Sequence, residues 1–285
     1  MELADVHTVG VVGAGTMGSG IAHVAAVAGY RVRLRDVDDA LVAKGLDDID
    51  ESLARRVDAG DLDAAAADAA RDRIEGTTAL ADLADADLVV EAVTEDRSVK
   101  QSVFSDLAAT CGPDAVLATN TSTLSITAIA SVIDRPERVV GLHFMNPAPV
   151  MPGVEVVVGE RTSAATADLA HAFADDLGKE TWEADDRPGF VVNRVLMPWI
   201  NEGIRAYEEG VAEKGDVDRG LRLGTNVPMG PLELADHIGL DVVLNASETL
   251  HEELGDRYRP AYLLKRKVAA GDLGKKTGAG FYEYE

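Results

Sequence analysis

Three glycines and one acid supply the first recognisable chemistry in this chain. Gly13, Gly15 and Gly18 form a G-x-G-x-x-G turn, and Asp36 follows at the distance expected of a ribose-binding carboxylate. An apolar β-type run, Val9 to Val12, leads into the turn. A helix-like stretch from Ser19 to Ala28 leaves it, and a second β-type run, Arg31 to Leu34, delivers Asp36. Gly13 permits the tight turn, Gly15 lets a pyrophosphate approach the backbone, and Gly18 lets helix and strand pack closely. The helix N-terminus then presents N–H groups and a partial positive charge to the phosphates. Gly13, Gly15, Thr16, Met17 and Gly18 are therefore the candidate dinucleotide contacts. A carboxylate at 36 can accept both ribose hydroxyls of NAD and repels the 2′-phosphate of NADP, so NAD is the expected cofactor. The neighbouring Arg35 points the other way. The bland alternative is a glycine-rich turn in another kind of βα protein, which needs neither the flanking elements nor the acid.

Polar residues gather at three further places where a strand should end, which is where open α/β sheets bind ligands. These are Asn120-Thr121-Ser122, His143 with Asn146, and the turn from Glu91 to Glu95. Asn193, just past a candidate domain boundary, is placed to close the cleft from a second domain. Taken singly, each has a plain reading. An isolated histidine is more often structural than catalytic, Ser122 reads as a helix N-cap, and Asn193 as a cap or bridge between helices. Glu95 and Lys100 read as surface charges.

The elements that must position these residues alternate in type as far as about residue 185. Helical stretches at Ala40–Arg56 and Leu62–Arg73 look like a hairpin inserted near 40–73. Strand-like runs follow at 86–92, 115–118, 138–144 and 154–158, with helices at Arg97–Ala109 and Ser163–Leu177. Such alternation predicts an α/β Rossmann-type, doubly wound sheet. The pattern changes at Arg187-Pro188-Gly189. Beyond it, helices are predicted at 193–209, 217–223, 231–254 and 262–270, with no convincing strand until the last residues. The expected organisation is a dinucleotide-binding domain over 1–187 and an all-helical domain over 188–285.

Composition excludes several classes. The net charge is −23, from 50 acidic and 27 basic residues, and only 8 of the bases are lysine. Acids are spread along helices rather than confined to a tail, so nucleic acid is an unsuitable partner. A solubilising surface is the plain reading; adaptation to concentrated salt is the sharper one, because so high a charge otherwise costs stability by self-repulsion. Molar salt also shortens the Debye length to about 3 Å, which removes the general field opposing an anionic cofactor. The apolar stretch Val9–Tyr30 reads as strand, turn and helix rather than a membrane span, and no signal or transit segment is read before it, so a cytoplasmic protein is expected. The single Cys111 forms no intramolecular disulfide, and no Cys/His cluster has metal-ligand spacing, so no metal is expected.

Several longer segments resemble the L-3-hydroxyacyl-CoA dehydrogenases, particularly the short, stand-alone 3-hydroxybutyryl-CoA dehydrogenases. They are Thr119-Asn120-Thr121-Ser122-Thr123-Leu124, Gly141 to Met151 with Val154-Glu155-Val156, Pro188 to Arg194, Gly224 to Leu240, and Lys276 to Tyr282. The resemblance spans the chain from first strand to last residues, with the motifs in the same order. It implies NAD-dependent, reversible oxidation of a short-chain L-3-hydroxyacyl-CoA to the 3-ketoacyl-CoA, a reaction of β-oxidation and fatty acid metabolism. By motif, His143 resembles the catalytic base, Glu155 its paired carboxylate, and Ser122 and Asn193 the residues that hold the reacting oxygens. Glu95, Lys100 and Asn120 match the cofactor side. The chemistry is coherent: the hydroxyl proton must leave as hydride departs the same carbon, and imidazole suits that proton near neutrality. Glu155 also lies in an apolar run where a carboxylate is costly to bury unpaired, and His143 is its candidate partner.

The chain departs from the family pattern twice. Pro152-Gly153 stands where a Lys-Leu pair is common, and Val57-Asp58-Ala59-Gly60-Asp61 carries acids where lysines commonly meet CoA phosphates. Ser52, Arg55 and Arg56 remain the candidate CoA contacts. The acid-rich hairpin leaves open a free hydroxy acid as substrate, as in relatives resembling gulonate dehydrogenase and lambda-crystallin; a non-catalytic NAD-binding protein would need no His143–Glu155 pair. Because the chain ends after its C-terminal motif, no fused hydratase is expected. Apolar helical positions beyond 188, and the resemblance, imply a homodimer through the second domain.

Overall fold

The structure is a computed structural model that describes residues 1–284. The chain divides into two compact units, Met1–Arg187 and Pro188–Glu285. The first holds an eight-stranded sheet: β1 (Thr8–Val12), β2 (Arg31–Arg35), β3 (Ile74–Thr77), β4 (Leu88–Glu91), β5 (Val116–Thr119), β6 (Val139–Phe144), β7 (Gly153–Val158) and β8 (Glu180–Asp185). Their order is β3-β2-β1-β4-β5-β6-β7-β8, a Rossmann-type, doubly wound arrangement whose direction reverses once, between β6 and β7. The connecting helices are α1 (Thr16–Ala28), α2 (Asp39–Asp58), α3 (Ala64–Asp72), α4 (Arg97–Thr110), the short α5 (Ile126–Ala130) and α6 (Ala164–Asp176).

Sequence explains these elements directly. β1, β4, β5 and β6 are buried at every position, as mainly apolar strands covered on both faces require, with Thr8, Glu91, Thr119 and His143 their buried polar residues. Apart from His23, α1 consists of small and apolar residues because it is buried along most of its length. α2 starts at an Asp38 cap that accepts the Ala40 N–H, and its apolar stripe Val42, Ile49, Leu53 faces inward. The helical hairpin is α2 followed by α3.

Two strands and one break were not anticipated. β3 is short and has a single buried residue, while β8 mixes three acids with Thr, Trp and Ala along the sheet edge. In the second unit, α7 (Val192–Glu208), α8 (Lys214–Thr225) and α11 (Tyr262–Ala270) lie where helices are predicted. The single helix predicted over 231–254 is in fact two, α9 (Pro231–Ile238) and α10 (Leu240–Leu254). Gly239 divides them: its φ of 102° lies outside helical space, and Leu240 instead donates its N–H to Leu273 O. The core of this unit is built on Ile200, Leu232, Val243, Leu250 and Leu264. The C-terminal segment is fastened by the buried Asp236, which accepts the Phe281 and Tyr282 N–H groups at 2.8 Å each.

Candidate active site

The glycine turn sits where β1 meets α1, and steric space explains two of its glycines. A Cβ on Gly18 would lie 1.7 Å from the Gly13 carbonyl oxygen, so helix and turn can approach this closely only through glycine. Gly13 has φ +103°, and a Cβ there would meet the Ala92 carbonyl at 2.6 Å. Gly15 differs: a Cβ would meet no protein atom within 4 Å, so the space above it is open to a ligand. Asp36 closes the turn at the end of β2, its Oδ2 accepting the Ala14 N–H at 2.7 Å. A glycine cradle, a helix N-terminus and a carboxylate at the β2 end together fit a dinucleotide.

Along the same sheet edge, β4 ends in Glu91, which is fully buried. Its carboxylate accepts from Lys100 Nζ at 2.7 Å, Thr119 Oγ1 at 2.7 Å and the Val93 N–H at 2.7 Å. Lys100 is also fully buried and reaches Glu95 at 3.4 Å and Val93 O at 3.3 Å. Lys100 is thus no surface charge: it ties Glu91 to Glu95. Glu95 in turn holds the segment after β5, its Oε1 accepting from Thr121 Oγ1 at 2.6 Å and the Ser122 N–H at 2.9 Å. Burial opposes the charge on Glu95, but Lys100 and these hydrogen bonds outweigh it and hold the carboxyl below its usual range. Ser122 does not cap α5; Ser125 does, accepting the Ala128 N–H. Asn120 Oδ1 accepts the Phe144 N–H at 2.9 Å, which fastens the end of β6 beside β5.

His143 and Glu155 are register partners across the antiparallel β6–β7 pair. His143 Nδ1 lies 2.9 Å from Glu155 Oε2. The carboxylate is completely buried and the imidazole 9% exposed. An acceptor-only carboxylate at this distance assigns the Nδ1 proton to His143 and leaves Nε2 as the basic nitrogen of the neutral ring. Glu155 Oε1 accepts a further hydrogen bond from Trp182 Nε1 at 3.1 Å, a residue that sequence reasoning passed over. Nothing local in the sequence marks Trp182, because only the β7–β8 register brings it beside Glu155.

Ser52, Arg55 and Arg56 line a groove in the first unit together with Thr16, Lys44 and Pro149. Two of its bases are engaged by acids of the same helix: Lys44 with Asp48 at 2.6 Å and Arg55 with Glu51 at 3.5 Å. Asn193 occupies the first turn of α7, in the second unit. Among the described residues, no group of His, Cys, Asp and Glu could hold a metal ion, and no helix is long and apolar enough to cross a membrane.

The first unit thus combines a glycine turn that fits a dinucleotide with a buried histidine–carboxylate pair on the same sheet. The chain belongs to the 3-hydroxyacyl-CoA dehydrogenase family: residues 8–187 match the model of its NAD binding domain and residues 189–284 that of its C-terminal domain. It is 47% identical over 282 residues to a 3-hydroxybutyryl-CoA dehydrogenase of Bradyrhizobium diazoefficiens, covering 99% of this chain and 96% of the relative. It is 44% identical over 275 residues to a 3-hydroxybutyryl-CoA dehydrogenase of Clostridioides difficile, covering 96% and 98%. The crystal structure of (S)-3-hydroxybutyryl-CoA dehydrogenase PaaH1 from Ralstonia eutropha superposes with a TM-score of 0.94 at 44% identity, covering 99% of this chain and 100% of that one.

Proposed function

We propose that this enzyme oxidises a short-chain L-3-hydroxyacyl-CoA reversibly to the 3-ketoacyl-CoA, with His143 as general base. The observation that carries this reading is the buried His143–Glu155 pair at the sheet edge that also bears the glycine turn. Bound NAD supplies the hydride acceptor. His143 Nε2 takes the hydroxyl proton, and Glu155 stabilises the imidazolium that forms and holds the ring in its tautomer. In the reverse direction the imidazolium returns the proton to the ketone oxygen. Ser122 and Asn193 hold the reacting oxygen, where a small misplacement is costly. Gly13, Gly15, Thr16, Met17 and Gly18 receive the pyrophosphate, Asp36 the ribose, and Glu95 and Asn120 the nicotinamide side, while Lys100 acts through Glu91 and Glu95. Asp36 favours NAD over NADP.

Purified protein in molar KCl should reduce acetoacetyl-CoA with loss of NADH absorbance. His143→Ala should lose most turnover while still binding NADH. No turnover of any 3-ketoacyl-CoA by folded protein would refute the assignment.

Ser52, Arg55 and Arg56 are proposed to meet the CoA moiety. The pairing of Lys44 and Arg55 with acids weakens that groove as a phosphate site and favours, as a second reading, a free hydroxy acid. Rates with 3-hydroxybutyrate and with its CoA thioester separate the two.

Further properties follow as part of the same reading. The soluble substrate and cofactor suit a cytoplasmic enzyme of β-oxidation. Val195, Leu223 and Tyr262, each at least 66% exposed on the second unit, support a homodimer through that unit; a monomer in sedimentation at high salt would refute it. The net charge of −23 supports a halophilic protein, whose unfolding midpoint should rise with KCl concentration.

A further inference from the structure

Glu155 and Trp182 are register partners on the parallel β7–β8 pair, so their side chains leave the same face of the sheet. Gly153, two residues before Glu155, shares that face. A Cβ built on Gly153 would lie 2.7 and 2.9 Å from two carbons of the Trp182 six-membered ring. The indole therefore occupies the space that any larger residue at 153 would fill. Gly153 has no left-handed backbone conformation, so room for the ring, not freedom of the chain, is what its missing side chain provides. This is the position where the family pattern places the second residue of a Lys-Leu pair. Here the indole lies against Gly153, with its N–H on Glu155 Oε1 at 3.1 Å.

The energetic consequence follows from burial. The Glu155 side chain has 0% exposure, and a buried charge is stable only when its remaining lone pairs are also satisfied. A carboxylate held through one oxygen retains a broad, two-fold rotation about its last torsion. A donor on the second oxygen removes that freedom, and a hydrogen bond to a charged acceptor is about twice as strong as a neutral one.

We propose that Trp182 is a positioning residue for the catalytic pair: its indole N–H fixes the plane of Glu155 so that Oε2 meets His143 Nδ1, and Gly153 is the residue that admits it. This inference rests on the reading of His143 and Glu155 as base and partner.

Trp182→Phe keeps an aromatic ring and removes the N–H. It should lower kcat roughly 3- to 10-fold, with KM for acetoacetyl-CoA and NADH affinity unchanged. In a Glu155→Gln background the same change should cost little more, because the charged acceptor is already gone. A merely structural tryptophan would cost the same factor in both backgrounds, and that result overturns the inference. Gly153→Ala should slow the Trp182 protein by displacing the indole and leave the Trp182→Phe protein little changed; equal losses in both would count against it. The chain has two tryptophans, so Trp199→Phe leaves Trp182 as the only one. Its emission should shift on Glu155→Gln, a readout that stands even where Trp182→Phe does not fold; an unchanged spectrum would overturn the proposal. If His143→Ala and Glu155→Gln both retain full turnover, the reading of the pair itself fails. If they lose it while Trp182→Phe stays within twofold of the parent, only the present inference fails.

Discussion

Glu95 and Ser122 meet through one carboxylate oxygen: Glu95 Oε1 accepts the Ser122 N–H at 2.9 Å and lies 3.3 Å from its hydroxyl. The serine proposed to hold substrate is thus set in place by an acid from a different strand-end turn. Glu95→Gln keeps the volume and weakens every charge-assisted bond to this segment. We expect kcat for acetoacetyl-CoA reduction to fall about tenfold and the melting temperature to drop as well, measured by steady-state kinetics and thermal unfolding. The carboxyl of Glu95 is held below its usual range. Its contribution to stability is therefore complete above the ordinary value of 4.5 and is lost only as pH falls through the lower folded value.

Glu91 and Lys100 form an ion pair with both side chains at most 1% exposed. Removing Lys100 strands the Glu91 charge in the core, and removing Glu91 leaves Lys100 only the longer contact to Glu95 at 3.4 Å. Lys100→Met should cost about 3–5 kcal/mol in denaturant unfolding, and Glu91→Gln a comparable amount. The double variant should recover part of that loss, since no charge remains in the fully buried pair, while Glu95 still loses its contact with Lys100. A simple sum of the two single losses would contradict the pairing.

The glycines of the turn should separate stability from binding. Gly18→Ala places a methyl within 1.7 Å of the Gly13 carbonyl, so turn and helix must part. Both the unfolding midpoint and NADH affinity should fall. Gly15→Ala meets no protein atom within 4 Å, so its unfolding midpoint should stay within a degree or two while NADH binding weakens by about tenfold or more. Calorimetry and fluorescence titration measure the two effects separately.

His23, on α1, is fully buried with both ring nitrogens lacking a protein hydrogen-bond partner. Burial first, then the charges of Arg56, Lys179 and Arg55, push its pKa down from 6.5 to about 4. The unfolded chain takes up a proton below 6.5 that the folded chain refuses until about 4. Stability should therefore decline as pH falls through that window, by roughly 3 kcal/mol at its end. His23→Leu should flatten this part of the stability–pH curve. An equally steep curve in the variant would assign the decline to other groups.

Much of this architecture was readable because burial writes a period into the chain. The apolar runs of β1, β4, β5 and β6, and the spacing of Val42, Ile49 and Leu53 on α2, mark buried surfaces without reference to partners. β3 and β8 escaped because an edge strand with polar outer positions carries little apolar signal. Gly239 was passed over because a single glycine is tolerated within many helices, and its positive φ exists only once Leu240 bonds to Leu273.

The site was legible in its types and not in its supports. His143, Glu155 and Ser122 stand in motifs, whereas Trp182 owes its place to strand register. Lys100 did leave one signal: it falls on the α4 stripe with Phe104 and Leu107, where a cation needs an internal anion. Glu91, closing an apolar strand, is that anion. Reading the two exceptions together would have paired them.

The one reversal of strand direction, between β6 and β7, makes neighbours of two residues only twelve apart in sequence. The proposed base and its carboxylate thus travel on a single two-stranded ribbon, whereas the proposed cofactor contacts are drawn from several distant segments. A lineage could lengthen the α2–α3 insertion or reshape the groove it borders without touching that ribbon. The proposed proton-transfer pair and the proposed substrate groove are in this sense structurally separable parts of the molecule.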